Sequence, residues 1–260
     1  MTTRTLAGMV TEIDGEGAAV LLVHGLGGTS NTWQPLMSAL GGMQVIRPDL
    51  PGAGRSVTPE GQIDVDFLVA ALKRLADAAE LATFDLVGHS FGALIAQHLA
   101  AAIPERVTNL VLFGPIVEPA ASARERLRGR AQMVRQGGMA AVADPVTAGG
   151  LATGAAETSP AAFAFVRESH MRQCAEGFAK SCEALAGARR ADPAAIKARS
   201  LIVTGEEDAI APPVAAYGLA EEIGRARAEI IPACGHWATV ERPEVCRRLI
   251  TAFLRQEPHR

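Results

Sequence analysis

The feature that most constrains this chain is an abrupt change of character between Phe84 and Ala102. A short apolar run, Phe84–Val87 (FDLV), passes directly into Gly88-His89-Ser90-Phe91-Gly92 and then into the helix-forming ALIAQHLA. A strand that becomes a helix within so few residues holds the residue at the turn in strained torsions and needs small neighbours, so that strand and helix can approach closely. Gly88 and Gly92 meet that need, and Ser90 stands at the tip. Its hydroxyl is then presented at a helix N-terminus, where the dipole and the free N–H of Phe91 favour a developing oxyanion. A G-x-S-x-G match alone is weak, but strand before and helix after make Ser90 a candidate nucleophile.

The same alternation runs through the first 115 residues. Ala18–Val23, Met43–Ile46 and Val107–Phe113 read as buried strands, being short, apolar and bounded by Gly, Pro or Asp. Helix-length segments at 31–40, 64–80 and 91–102 lie between the strands, and a strand over Gly8–Ile13 begins the sheet. This order predicts an α/β fold: a parallel sheet with helices on both faces. Residues 117–195 break the pattern, being rich in Ala, Arg and Glu and carrying helix punctuation such as Ser159-Pro160. Within them Ala123, Leu127, Ala131 and Val134 form an apolar stripe, with Arg124, Arg128 and Arg135 off it. The sheet resumes at Leu201–Thr204 and Ala228–Ile231, and a last helix runs from Pro243 to Gln256. The expected organisation is one core, residues 1–116 and 196–260, with a helical cap at 117–195.

Composition narrows the function classes. With 260 residues, 48% hydrophobic and 20% charged, the chain can bury a real core and is no disordered segment. A net charge of −3 without a dominating basic run offers no field to gather phosphates, so no nucleic-acid partner is expected. No apolar run approaches the roughly 20 residues that span a bilayer, and MTTRTLAGMV lacks the apolar block of a signal peptide. The expectation is a cytoplasmic protein without a membrane partner. The four cysteines show no CxxC spacing and are expected as buried thiols. No metal-ligand cluster or nucleotide fingerprint is present, so no cofactor is expected. No coiled-coil heptad is visible, and a homo-oligomer stays open.

A serine nucleophile needs a second oxyanion donor, a base and an orienting carboxylate. His24-Gly25-Leu26-Gly27-Gly28 follows the strand AAVLLV and offers the N–H of Leu26 beside that of Phe91, while His24 itself reads as a packed structural residue. Asp208, in the loop after LIVT, is the candidate acid. Glu206 and Glu207 in the same loop read as solvated, and Glu118 is a less favoured substitute. Of the six histidines, His98 falls in a helix, His170 in the cap and His259 in the tail. Only His236, in Cys234-Gly235-His236-Trp237 after the last strand, has the location a base needs. The order Ser90, Asp208, His236 belongs to one serine-hydrolase architecture and to neither the chymotrypsin nor the subtilisin arrangement.

Through HGLGG, Asp49–Ser56 (DLPGAGRS), GHSFG, GEEDAIAPP and CGHW, the chain resembles the α/β-hydrolase superfamily over essentially its whole length. The resemblance implies about eight mostly parallel strands with a helical lid, and a DLPGAGRS loop packed near the active site. The cap, through Val134–Asp144 and Glu176–Ala179, resembles the 3-oxoadipate enol-lactonase group. GHW is similar also to the meta-cleavage-product hydrolases, which break carbon–carbon bonds with the same triad. The expected function is that of a carboxylesterase or lactonase acting on a small-molecule ester or lactone through an acyl-enzyme. A carbon–carbon hydrolase or lyase, or a small-molecule receptor on this fold, stand as alternatives. Arg124, Arg128 or Arg135 could meet a substrate carboxylate, although a solvated face is the favoured reading. Trp33 and Trp237, with Phe163, Phe165 and Met171, are candidates to line the pocket or to pack the core.

Overall fold

Residues 20–23 show how the sheet comes to be buried on both faces. Val20 and Leu22 point to one side and Leu21 and Val23 to the other, and all four are inaccessible to solvent. A strand covered on both sides reads as a continuous apolar run, and that is how AAVLLV is written. The computed structural model describes residues 1–255. Its strands are β1 (Thr2–Leu6), β2 (Met9–Asp14), β3 (Ala18–Val23), β4 (Met43–Pro48), β5 (Phe84–His89), β6 (Val107–Phe113), β7 (Arg199–Gly205) and β8 (Ala226–Ile231). They form one sheet in the order β1-β2-β4-β3-β5-β6-β7-β8, antiparallel at β1/β2 and β2/β4 and parallel elsewhere.

The helices are α1 (Val65–Ala78), α2 (Phe91–Ala102), α3 (Ala121–Gly137), α4 (Ala143–Ala148), α5 (Ala155–Thr158), α6 (Pro160–Met171), α7 (Ala175–Gly187), α8 (Pro213–Ile223), α9 (Ala238–Glu241) and α10 (Pro243–Leu254). The helix expected at 31–40 is a 3₁₀ helix over Ser30–Leu40 with Pro35 inside it. Pro35 gives no N–H to either ladder, and its ring disfavours the α conformation of Gln34 before it, which works against a regular α-helix here. This segment and α10 pack on one face of the sheet, with Trp33, Leu36, Ile250 and Phe253 in their core; α1, α2 and α8 pack on the other. Gln256, the expected end of the last helix, and His259 lie outside the described residues.

Between β6 and β7 the chain runs through α3 to α7. Leu127, Ala131 and Val134 are buried there as the apolar stripe requires, and α3 packs along α7. Of the four thiols, Cys182, Cys234 and Cys246 are buried, but Cys174 is exposed ahead of α7, which corrects the expectation for that residue. Among the described residues no helix is long and apolar enough to cross a membrane.

The topology sets the site. After β3 the chain moves outward to β4, and it then returns to place β5 on the other side of β3. The loops after β3 and β5 therefore diverge at the carboxyl ends of neighbouring strands, which is where open parallel sheets bind ligands. At the start of α2, a Cβ added to Gly92 would press into the carbonyls of Val23 and His24. Gly92→Ala is expected to lower stability by about 1–3 kcal/mol, read as a urea midpoint. Gly129 on α3 faces open space; Gly129→Ala, the matched control, is expected to gain up to about 1 kcal/mol of helix propensity.

Candidate active site

Ser90 follows β5 with φ 55° and ψ −119°, a left-handed conformation that a side chain rarely adopts. Its N–H is held by the carbonyl of Phe113 at 2.9 Å. Ser90 Oγ lies 2.7 Å from His236 Nε2, and His236 Nδ1 lies 2.8 Å from Asp208 Oδ2. A carboxylate can only accept, so the imidazole proton sits on Nδ1 and Nε2 is left to receive the Ser90 proton. Asp208 Oδ1 accepts the N–H groups of Ile210 and Ala211 at 2.9 and 2.8 Å, and its Oδ2 also accepts the Thr204 hydroxyl at 3.1 Å. Burial pushes the Asp208 carboxyl up, but His236 and the N–H groups of Ala211 and Ile210 together bring it below the ordinary range. The three residues predicted from sequence are thus brought together, and all are buried.

Neither the Leu26 N–H nor the Phe91 N–H meets an acceptor among the described residues. Gly25 lets the two loops touch, since a Cβ there would stand 2.8 Å from that of Ser90. His24 is structural, as expected: Nδ1 donates to the Gly25 carbonyl at 2.9 Å, and Nε2 accepts the Leu50 N–H at the same distance. In the DLPGAGRS loop, Asp49 accepts from Ser30 N–H at 2.7 Å and from Arg55 Nε at 2.8 Å, which fixes that loop beside His24.

Ser90 and His236 open onto a cavity of about 400 Å³, which falls within the range of small-molecule sites. Trp237 lines it; Trp33 does not. Trp33 is fully buried against Phe113, 6.3 Å away between ring centres, so it belongs to the core and is withdrawn as a pocket residue. Phe163 and Phe165 pack around Leu151, Val166 and Trp237, and neither they nor Met171 line the cavity. Glu118 stands at the cavity wall, paired with Arg124 at 2.7 Å, and is not the acid of His236. Glu206 and Glu207 are exposed and accept the N–H groups of Ala233 and Thr153. Among the described residues no cluster of His, Cys, Asp or Glu could hold a metal ion.

Three functional neighbours escaped the sequence reading. His89, inside the elbow, donates through Nε2 to the His236 carbonyl at 2.9 Å and so holds the base from behind. Glu241 accepts the N–H groups of Ala152, Gly235 and Trp237 at 2.8, 3.1 and 3.2 Å. It thereby clamps both neighbours of His236 to the segment ahead of α5. His170 on α6 lines the cavity with its Nδ1 donating to the Val166 carbonyl at 2.8 Å. The signal for Glu241 was its spacing from His236, since a carboxylate a few residues into a helix can reach back to loop N–H groups; His170 carried no local signal.

Burial is the main cause that holds His89 at about 3 and His170 at about 4, with Arg130 adding to it at His170, so both stay neutral in the folded protein. Unfolded imidazoles take up protons below about 6.5 while these two do not, so stability falls as pH drops from about 6.5 toward 4. The slope is about 1.4 kcal/mol per pH unit for each group. Urea midpoints at pH 7 and pH 5 read this loss, and His170→Gln is expected to flatten it; an unchanged pH slope in that variant would refute the assignment. Glu241→Gln puts an N–H₂ group against backbone donors and is expected to cost about 1–3 kcal/mol of stability at pH 7 by the same measurement.

Comparison with known proteins bears on the fold and the family. A 2-hydroxymuconate semialdehyde hydrolase of Pseudomonas sp. (strain CF600) is 31% identical, over 95% of this chain and 91% of that one. The 3-oxoadipate enol-lactonase 2 of Acinetobacter baylyi is 28% identical, over 92% and 89%. The crystal structure of the enol-lactonase from Burkholderia xenovorans LB400 superposes with a TM-score of 0.91 at 27% identity, covering 98% of this chain and all of that one. Residues 20–249 match the description of the alpha/beta hydrolase family, and the chain belongs to that family.

Proposed function

We propose that this protein is a serine hydrolase that cleaves a small carboxylic ester or lactone through an acyl-enzyme. The observation that carries the reading is the unbroken line from Asp208 through His236 to Ser90 Oγ, at 2.8 and 2.7 Å, ending at the floor of the cavity. Ser90 Oγ attacks the scissile carbonyl while His236 Nε2 takes its proton, and Asp208 holds the tautomer and stabilises the imidazolium. The N–H groups of Leu26 and Phe91 receive the oxyanion, each donor typically worth about 3–4 kcal/mol in the transition state. His236 then returns the proton to the leaving alkoxide. Water enters and attacks the acyl carbonyl while His236 Nε2 takes its proton; the bond to Ser90 Oγ then breaks, the acid leaves, and His236 returns the proton to Ser90 Oγ. Residues 117–195 act in this proposal as a cap over a core formed by 1–116 and 196–260.

A second reading, hydrolysis of a carbon–carbon bond with the same triad, draws on the 31% identity to the 2-hydroxymuconate semialdehyde hydrolase. The two separate on substrate. Purified protein offered short-chain p-nitrophenyl esters and simple lactones is expected to turn them over and to take one phosphonate label on Ser90 by intact mass. Ser90→Ala is expected to lose the label and about 10⁴-fold or more in kcat/KM, and Asp208→Asn about 10⁴-fold. Labelling together with turnover of dienoate ketones but not esters would favour carbon–carbon cleavage, and absence of both labelling and turnover would refute the serine mechanism.

A further inference from the structure

The cavity that holds Ser90 and His236 also holds two cations without partners. Arg126 and Arg130 stand one turn apart on α3, and both line it. Neither makes a hydrogen bond or ion pair among the described residues. The other arginines of that helix behave differently. Arg124 is saturated by Glu118 and the carbonyls of Pro119, Ala186 and Ala188; Arg135 spans Glu176 and Glu183 on α7. Arg128 is exposed and off the cavity. So Arg124 and Arg135 are engaged and Arg128 is solvated, while Arg130, half-buried, and Arg126, exposed, line the cavity.

We propose that the α3 wall of the catalytic cavity is an anion-binding pole, with Arg130 and Arg126 as its cations, and that the preferred substrate carries a carboxylate remote from its scissile carbonyl. The inference rests on the hydrolase reading above and names the substrate class for that same site.

The charges around the two residues support it. Arg130 is half-buried and partly desolvated, burial being the first cause that lowers its pKa and Arg126 a further one. A guanidinium does not deprotonate in a protein, so it stands as a desolvated cation lacking a counter-charge. The carboxylate that lines the cavity, Glu118, and the one behind His236, Asp208, are already used. Glu118 is held by Arg124, by Arg189 at 3.5 Å and by the Arg190 N–H at 3.1 Å, and Asp208 is turned to His236 and the loop N–H groups. His170 is neutral and the buried Cys182 thiol is pushed up to about 12, so neither supplies a negative charge. The same cavity is lined by the apolar side chains Leu127, Val146, Leu185 and Trp237. A ligand with a scissile carbonyl, an apolar part and a carboxylate matches that lining, and a guanidinium takes a carboxylate bidentately.

The test compares a matched pair, mono-p-nitrophenyl glutarate and p-nitrophenyl butyrate, by kcat/KM at low salt. Wild type is expected to favour the anionic ester, and Arg130→Ala to lower the anionic-to-neutral ratio about tenfold or more, chiefly through KM, as loss of a charged hydrogen bond requires. Arg130→Lys keeps the charge without the fork and should retain part of the preference; Arg128→Ala should leave the ratio where it was. Should Arg130→Ala fail to fold, Arg130→Gln and Arg126→Gln serve, with glutarate as a competitive inhibitor of the neutral ester as a second readout. A ratio and an inhibition constant that stay put in the double variant Arg126→Gln/Arg130→Gln overturn the pole. If neither ester turns over and phosphonate fails to label Ser90, the hydrolase reading has failed, and calorimetric titration of glutarate still decides the pole. Binding that is lost in Arg130→Gln supports it, and no binding to wild type, or equal binding to both, overturns it.

Discussion

The contact on which the rest of the site depends is that between the start of α2 and the end of β3. Gly92 lies against the carbonyls of Val23 and His24, and Gly88 against the backbone of Gly92 and Ala93, so the turn can be this sharp only with hydrogen in place of a methyl group at both positions. The tightness throws Ser90 into φ 55°, and the strain is held by its N–H bond to Phe113 and by the helix that begins at Phe91. Gly25 extends the same logic to the facing loop, where a side chain would collide with Ser90 and the His89 carbonyl. With those three glycines the loops after β3 and β5 meet. In the proposed mechanism the N–H groups of Leu26 and Phe91, carried on that backbone, act without reorganisation.

The base is held in a different way, because His236 lies in a loop. Four bonds replace the strand: its own N–H to Gly150, its carbonyl to His89, and the Glu241 carboxylate to the N–H groups of Gly235 and Trp237. Two of these links reach the insertion, since Gly150 belongs to it and Glu241 also takes the N–H of Ala152. Gly235 packs on Leu151 so closely that no side chain would fit. The segment carrying α3 to α7 is therefore tied to the base as well as standing over the cavity. Displacing that segment would displace His236 with it.

Much of this was legible in the sequence, and the boundary of legibility has a physical form. Local patterns reported local structure: FDLV, AAVLLV and VTNLVLF are strands where the apolar runs predicted them, and GHSFG is the turn its glycines required. The β1 strand was missed because TTRTL lies exposed at the sheet edge and has no apolar face to reveal it. Trp33 could be read as pocket or core because an aromatic residue after a strand end fits either, and only packing against Phe113 decides. The place of Arg126 and Arg130 was not legible either. They fall three residues after Ala123 and Leu127, on the flank of the apolar stripe. Which flank met the cavity depended on how α3 seats on α7 and on the sheet, and no local pattern encodes that.

The histidines show how one base is selected from several similar groups. His24, His89 and His170 are all buried, and each is held neutral chiefly by loss of hydration. Each directs one ring N–H to a backbone carbonyl, which fixes the ring and supplies no negative charge to balance a proton. His236 is as buried as they are, but its Nδ1 faces Asp208, whose carboxyl is kept ionised by His236, Ile210 and Ala211. An imidazolium forming at His236 is met by a charge in direct hydrogen-bond contact, whereas one forming at His89, 5.1 Å away between ring centres, would have no carboxylate bonded to its ring and feel Asp208 only from a distance. His24 has Asp49 near it but spends both ring nitrogens on backbone, so a carboxylate bonded directly to the ring is what sets His236 apart from the other buried histidines.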